Sequence, residues 1–337
     1  MGNCQNLDDV TLNTAYFLSL IIPVFNAEKY IEACLHSVFV QLPGEVEVIL
    51  VNDGTPDASI EIVKREFPDW LTSGQLILLE QSNMGPGAAR NTGIRKSRGD
   101  FIAFLDSDDV LLDGYFKEIF NLLNTEKVDI IEFGYKRFVD QLAIPQAQYR
   151  PLYNFNGLQK LSDVREDVFV AGVWFPWTRV YRRDIFERFL FPEGTHYEDL
   201  MLLSSIYMLD LEIYFMNKPL LGYRYNPASI TSNHTVKQFH EIYGFYKSIP
   251  GNGFCEATKI LKLKVARSII FFFSEMKIPG FPVSELIRDI GKLSLTAETR
   301  GKLKRADRIF LQYPGLYVSL DALRVPVKKM LLKAMAH

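Results

Sequence analysis

Between residues 17 and 138 the chain alternates short, β-rich apolar runs with amphipathic stretches, a rhythm that few folds accommodate. The apolar runs, at 17–24, 46–51, 75–80, 101–105 and 129–133, have the length of buried strands. The stretches between them, at 28–40, 59–67, 87–97 and 115–124, carry helical spacing and begin near turn or capping residues. Strand, helix, strand in regular succession predicts βαβ units and a parallel sheet with helices on its faces. From about residue 140 to 155 the periodicity is lost and Pro and Gln accumulate, so the first unit is expected to end there.

In open α/β sheets ligands bind at the carboxyl ends of the strands, so the residues that close each run carry the functional information. Phe101-Ile102-Ala103-Phe104-Leu105 runs straight into Asp106-Ser107-Asp108-Asp109. Carboxylates at that spacing can converge on one hard divalent cation, whose preferred partners are carboxylate oxygens, water and substrate phosphates. They can equally cap the helix expected at Tyr115. The first run closes on Pro23-Val24-Phe25-Asn26, where Pro23 lacks an N–H and suits a strand end, and Phe25 offers a ring face to a base. The second closes on Asn52-Asp53-Gly54-Thr55, where Asp53 can accept from an imide N–H or simply shape the turn. The third leads to Asn83-Met84-Gly85-Pro86-Gly87, then Ala89-Arg90-Asn91 and Gly93. Its glycines allow close backbone approach to a phosphate at a helix N-terminus, and Arg90 adds a permanent charge. Arg90 also occupies the position where a dinucleotide fingerprint needs its last glycine, which disfavours a dinucleotide oxidoreductase.

Bulk properties narrow the setting. At 337 residues the chain has room for one large or two closely joined units. A formal net charge of −2 argues against a nucleic-acid binder. Cys4, Cys34 and Cys255 are odd in number and far apart, which suggests a reducing compartment, so a cytoplasmic protein is expected. No basic-then-apolar leader is seen, and the longest apolar runs, 17–24 and 268–273, fall short of a membrane span.

Taken together and in order, Pro23-Val24-Phe25-Asn26, Asn52-Asp53-Gly54-Thr55, Asn83-x-Gly85 with Ala89-Arg90-Asn91-x-Gly93-Ile94, and Gly99-Asp100-Phe101-Ile102-x-Phe104-Leu105-Asp106-Ser107-Asp108-Asp109 resemble the family 2 inverting glycosyltransferases. The likeness covers about residues 17–138. It implies an A-type glycosyltransferase fold: α/β, with a Rossmann-like mixed, mostly parallel sheet flanked by helices, here followed by a C-terminal helical extension. It also implies a nucleotide-sugar donor, most simply a UDP-sugar, held by Pro23, Phe25, Asn26, Asp53, Asn83, Gly85, Arg90, Asp106, Ser107 and Arg224. Within that set Asp53 would contact uracil and Asp106 the ribose, while Asp108 would ligate Mn2+ or Mg2+ with His234 as a further candidate ligand. Asn52, where Asp is frequent, is a small departure.

The second half resembles the family less uniformly. Trp174-Phe175-Pro176-Trp177-Thr178-Arg179-Val180-Tyr181-Arg182-Arg183 looks like the acceptor region, with Arg179 where a Lys is usual. Trp177 and Arg179 are therefore the acceptor candidates, although a core position is the commoner fate of such an aromatic. Glu198-Asp199 opens a helical run at 200–209. Such a pair can merely complement a helix N-terminus, but the resemblance implies a catalytic base at Asp199, with Glu198 beside it. Residues 223–231, from Tyr223-Arg224, resemble a segment that closes over the diphosphate.

Beyond residue 240 the likeness fades into helical, apolar stretches at 257–275 and 283–295. The end of the chain is basic: Lys292, Arg300, Lys302, Lys304, Arg305, Arg308, Arg324, Lys328, Lys329 and Lys333, with aromatic and aliphatic residues interleaved. This is either a surface for anionic lipid, giving peripheral membrane contact, or a solvated helical cap. The expected organisation is an N-terminal tail (1–16), a nucleotide-sugar unit (17–138), an acceptor and catalytic unit (139–240) and a helical extension (241–337). The expected activity is metal-dependent inverting transfer of a hexosyl or N-acetylhexosaminyl group to a hydroxyl of a saccharide or lipid-linked oligosaccharide, in surface polysaccharide assembly. The alternatives are a sugar nucleotidyltransferase and a non-catalytic nucleotide-sugar-binding module. A nucleotidyltransferase favours a Gly-rich loop after the first strand, where this chain has Pro23-Val24-Phe25-Asn26.

Overall fold

The computed structural model describes residues 16–139, 144, 146–225, 235–251, 254–276 and 278–319. Its first part follows the sequence rhythm: β1 (Leu18–Val24), α1 (Ile31–Phe39), β2 (Val46–Asn52), α2 (Ser59–Glu66), a short α3 (Pro68–Thr72), β3 (Leu76–Glu80), α4 (Pro86–Lys96) and β4 (Phe101–Phe104). β1 pairs in parallel with β2 on one side and β4 on the other, and β3 continues the sheet beyond β2. Buried strands read as continuous apolar runs because both faces are covered. Leu18, Leu20, Ile22 and Val24 pack toward α1 and α2, whereas Ile21 packs toward α4. On that second side the approach is close, since a Cβ on Gly93 would stand 2.4 Å from Ile21 Cγ2.

β5 (Val110–Leu111), α5 (Tyr115–Leu123), β6 (Ile130–Phe138), β7 (Gly157–Lys160), α6 (Leu161–Ala171), β8 (Arg179–Arg182), α7 (Glu198–Ile206) and β9 (Glu212–Arg224) complete the sheet and its layers. The strand order is β3-β2-β1-β4-β8-β6-β9-β5, with β7 on β9. β8 lies antiparallel between β4 and β6, and β9 runs parallel to β6 but antiparallel to β5 and β7. The sheet is therefore mixed. One nine-stranded sheet crosses the composition shift near residue 140. The alternation gave no warning of β8 or β9. The four residues of β8 are too few to show a period, and their burial is supplied by partners on both sides.

The remaining helices are α8 (Val236–Ser248), α9 (Glu256–Met276), α10 (Val283–Gly291), α11 (Ala297–Lys302) and α12 (Arg305–Gln312). α9 packs on α6 and α8, with Ile260, Leu263, Ile269 and Ile270 fully buried in the larger core. Each such side chain contributes about 1.5–3 kcal/mol relative to an exposed one. Among the described residues no helix is long and apolar enough to cross a membrane. On α12, Arg305 and Arg308 are exposed, while Arg324, Lys328, Lys329 and Lys333 lie outside the described residues.

Candidate active site

The carboxyl ends of β1, β2 and β4, with the loop after β3, gather the residues read as donor-binding. After β1, Phe25 is 42% exposed and Asn26 adopts a left-handed conformation (φ 53°). The Asn26 N–H donates to Thr55 Oγ1 (2.9 Å), and Asn52 Oδ1 accepts the Thr55 N–H (2.9 Å), so the first two loops are tied together. Asp53 is buried. Its carboxylate accepts the Met84 and Gly85 N–H groups (2.9 and 2.8 Å) and the Gln81 amide (2.8 Å). That carboxylate therefore sets the loop that carries Asn83 and starts α4 at Gly85, where Asn83 is exposed and Pro23 is half-buried.

Arg90, on the second turn of α4, is the centre of the site. Its Nη2 donates to Asp106 Oδ1 (2.8 Å), and its Nη1 reaches Asp199 Oδ1 (2.9 Å) and Glu198 Oε1 (3.3 Å). One guanidinium thus joins the acidic turn after β4 to the first turn of α7. The Arg90 side chain is 4% exposed, Glu198 is 7% exposed, and Asp106 and Asp199 keep 30% and 29% of their surface open. Three carboxylates on one cation leave a local excess of negative charge, and Asp106 and Asp199 stay partly open to solvent. Among the described residues Arg90 Nε, though buried, has no hydrogen-bond partner.

The electrostatics follow. The Asp199, Asp106 and Glu198 carboxylates raise the Arg90 pKa against the opposing cost of burial, so it stays charged. Burial pushes Asp199 up to about 8, with Glu198 and Asp106 adding to the rise and Arg90 pulling against it. Glu198 is raised for the same leading reason. A carboxyl held there is poised for proton transfer near neutral pH.

Asn91, next on α4, fixes the approach to α7. Its amide donates to the Phe191 carbonyl (2.9 Å) and to Glu193 Oε1 (3.0 Å), and its Oδ1 accepts the Phe191 N–H (2.9 Å). Sequence reading noted Asn91 within a motif and gave it no part in the site. Its signal was adjacency to Arg90, one residue further along the same helix. On the other flank, Asp109 Oδ1 accepts the Arg224 N–H (2.8 Å), and Arg224 Nε donates to the Asp108 carbonyl (2.7 Å). The Arg224 guanidinium lies over the rings of Phe138 and Tyr30 (4.5 and 5.0 Å). Ser107 and Asp108 are half-buried on the same turn; His234 lies outside the described residues.

The two acceptor candidates are corrected by burial. Arg179 is fully buried, and its guanidinium is spent on Glu132, the Tyr207 hydroxyl and the Phe175 and Val173 carbonyls. Trp177 is 3% exposed, stacked on Phe175 and Tyr223 (4.8 and 5.0 Å) and met edge-on by Tyr135. Both side chains are core positions here.

Comparison with known proteins places this arrangement. The family model Glycosyl transferase family 2 matches residues 19–190. GlyA of Streptococcus pneumoniae, a glycosyltransferase, is 29% identical over 235 residues, 67% of this chain but only 33% of its own length. EpsJ of Bacillus subtilis, an uncharacterized glycosyltransferase, is 32% identical over 255 residues, covering 71% of this chain and 72% of its own. Residues 1–349 of S. aureus TarS, solved in complex with UDP-GlcNAc, superpose with a TM-score of 0.67 at 20% identity, over 92% of this chain and 90% of that one. The mixed sheet and the charged cleft at its carboxyl edge define a glycosyltransferase with the A-type fold. The chain belongs to glycosyl transferase family 2.

Proposed function

We propose that the protein catalyses metal-dependent, inverting transfer of a hexosyl or N-acetylhexosaminyl group from a UDP-sugar to a hydroxyl of a saccharide or lipid-linked saccharide. Surface polysaccharide assembly is the setting we assign to it. The observation that carries this reading is the Arg90 bridge, which holds Asp106 on the donor side and Asp199 on the other in one cleft. UDP-GlcNAc in the structurally similar TarS supports the choice of donor.

In this reading Phe25 and the loop set by Asp53 receive the base, and Asp106 and Ser107 face the ribose and phosphates. The oxygen donors of Asp106 and Asp108 suit a hard divalent cation, and Mg2+ or Mn2+ held by one or two carboxylates plus phosphates needs no all-protein cage. Among the described residues no cluster of three metal-ligating side chains is preassembled, which is compatible with such a site. Bound there, Mn2+ or Mg2+ would act as a Lewis acid toward the departing diphosphate. Arg224, anchored on Asp108, brings a second positive charge to the same turn. Asp199 Oδ takes the proton of the attacking hydroxyl. Arg90 holds both Asp199 and Glu198 in place, and Asn91 fixes the segment that leads into them. No enzyme nucleophile is required, because the displacement is a single in-line step that inverts the anomeric carbon.

The test is a thermal-shift screen with UDP, GDP and their sugars in Mn2+, since a ligand specific to the folded state raises its stability. Stabilisation by UDP-sugars, followed by NMR assignment of an inverted linkage in the product, is the expected result; failure of every nucleotide to stabilise would exclude the reading. Exposed Arg305 and Arg308 on α12 support peripheral contact with anionic lipid, which sedimentation with anionic against neutral vesicles checks.

A further inference from the structure

Beyond the donor cleft, at the carboxyl end of β6, lies an opening of about 280 Å3 lined by Tyr135, Arg137, Gln148, Tyr149, Arg150 and Leu152. It lies beside the end of β9 that also carries Arg224. Arg137 stands opposite Tyr223 in the β6–β9 register, next to Phe138 opposite Arg224. The Arg137 guanidinium lies 5.6 Å from the Tyr223 ring centre, and Tyr135 meets the same ring edge-on at 5.9 Å. Arg224 then leads directly to the acidic turn through Asp108 and Asp109.

The opening is shaped rather than incidental. The pairing of β6 with β9 shifts register on both sides of Gly134, and such irregularities re-aim side chains beside functional sites. A Cβ on Gly134 would stand 2.2 Å from Tyr149 Cε2, so only glycine lets the Tyr149 ring lie against the strand. Tyr135 and Tyr149 therefore present half-buried rings to a cleft whose other polar lining is cationic and amide. Arg137 and Arg150 are both exposed, and among the described residues neither is paired with a carboxylate. Two unpaired forks of donors in one cleft are complementary to a planar or tetrahedral anion, because guanidinium pairs bidentately with carboxylate and phosphate.

We propose that this cleft is an acceptor subsite that recognises a saccharide bearing an anionic group, a phosphate or a carboxylate, with the tyrosine rings under the sugar and Arg137 and Arg150 on the anion. This rests on the glycosyltransfer reading above and adds the chemical class of its acceptor. The subsite lies on the Arg224 side of the acidic turn, outside the residues assigned to the donor.

The test uses the full chain saturated with UDP and Mn2+, so that the donor site is occupied, and ligand-observed NMR titration with three probes. These are N-acetylglucosamine 1-phosphate, glucuronic acid and neutral N-acetylglucosamine. At least one anionic probe binds on the order of tenfold tighter than the neutral sugar, as one charge-assisted contact allows, and added salt erodes the advantage. The R137Q/R150Q double variant loses that advantage while UDP affinity is unchanged, and R137K/R150K regains part of it. Which anionic probe gains identifies phosphate or carboxylate as the group recognised. Equal binding of all three probes, or an anionic preference that survives in R137Q/R150Q, overturns the proposal. Loss of UDP binding by the unmutated protein would instead count against the donor reading, so the two failures are distinct.

Discussion

Two buried arginines divide this molecule into a part that is closed and a part that is charged for work. Arg179 has one carboxylate partner, Glu132, whose other bonds come from Tyr153 and Tyr207, and the remaining guanidinium donors meet backbone carbonyls and Thr178. Charge is balanced, and the side chains that meet the guanidinium and Glu132, those of Tyr153, Thr178 and Tyr207, are buried. Arg90 has three carboxylates, two of them open to the cleft, and an unpartnered Nε. A neutral, saturated pair fixes β8 to β6 and α7. A surplus of negative charge in a cleft is instead an unfinished arrangement that a cation, a phosphate-bound metal or a proton can complete. Burial alone does not separate structural from chemical arginines; the count of opposing charges and their exposure does.

That contrast can be broken most severely by metal removal. Excess chelator should reduce transfer to background, with Mn2+ or Mg2+ restoring it, while the melting temperature without donor stays unchanged because the Arg179 cluster does not need the ion; full activity in chelator would refute the Asp108 role. Arg179→Ala strikes the closed side. It should cost about 3–5 kcal/mol of stability, the usual penalty for stranding one partner of a buried pair, as read by urea denaturation. Asp199→Asn strikes the open side: transfer should fall by about 100-fold or more with UDP affinity nearly intact, and normal turnover would remove Asp199 from the chemistry.

The smallest effect is the most diagnostic. The Asp199 carboxyl is pushed up to about 8, so its basic form is lost as pH falls, and the transfer rate should rise with pH toward that value. The stability sign is opposite. An acid whose pKa is raised on folding stays protonated in the native state and ionises in the unfolded chain, so folding weakens as pH rises from the ordinary carboxylate range to about 8. The wild-type melting temperature should therefore decline relative to that of Asp199→Asn across that window, and parallel curves would show that Asp199 titrates as an ordinary exposed acid.

Much of this was legible before any coordinates. The first four strands, and α1, α2, α4 and α5, fall within a residue or three of their expected limits, because apolar periodicity and buried parallel pairing are local signals, whereas the five-residue α3 was not expected. The motifs at the strand ends do converge on one edge of the sheet. What the string concealed was long-range. Arg90 reads as a phosphate ligand, but its partners lie 16, 108 and 109 residues away. Arg179 and Trp177 sit in a segment that resembles an acceptor region, and only their burial in the folded chain shows that they point inward. The tyrosine-lined opening owes its shape to a register shift at Gly134, which no periodicity announces.

The placement of β8 has a consequence for how the protein can be made or cut. A strand from residues 179–182 fills the gap between β4 and β6, so the edge of the first part of the sheet stays unsatisfied until just over half of the 337 residues have left the ribosome. A fragment ending at Phe138 would carry that bare edge into solution, where it invites pairing with other chains. The expected nucleotide-sugar and acceptor units, 17–138 and 139–240, share one sheet and assemble as one unit.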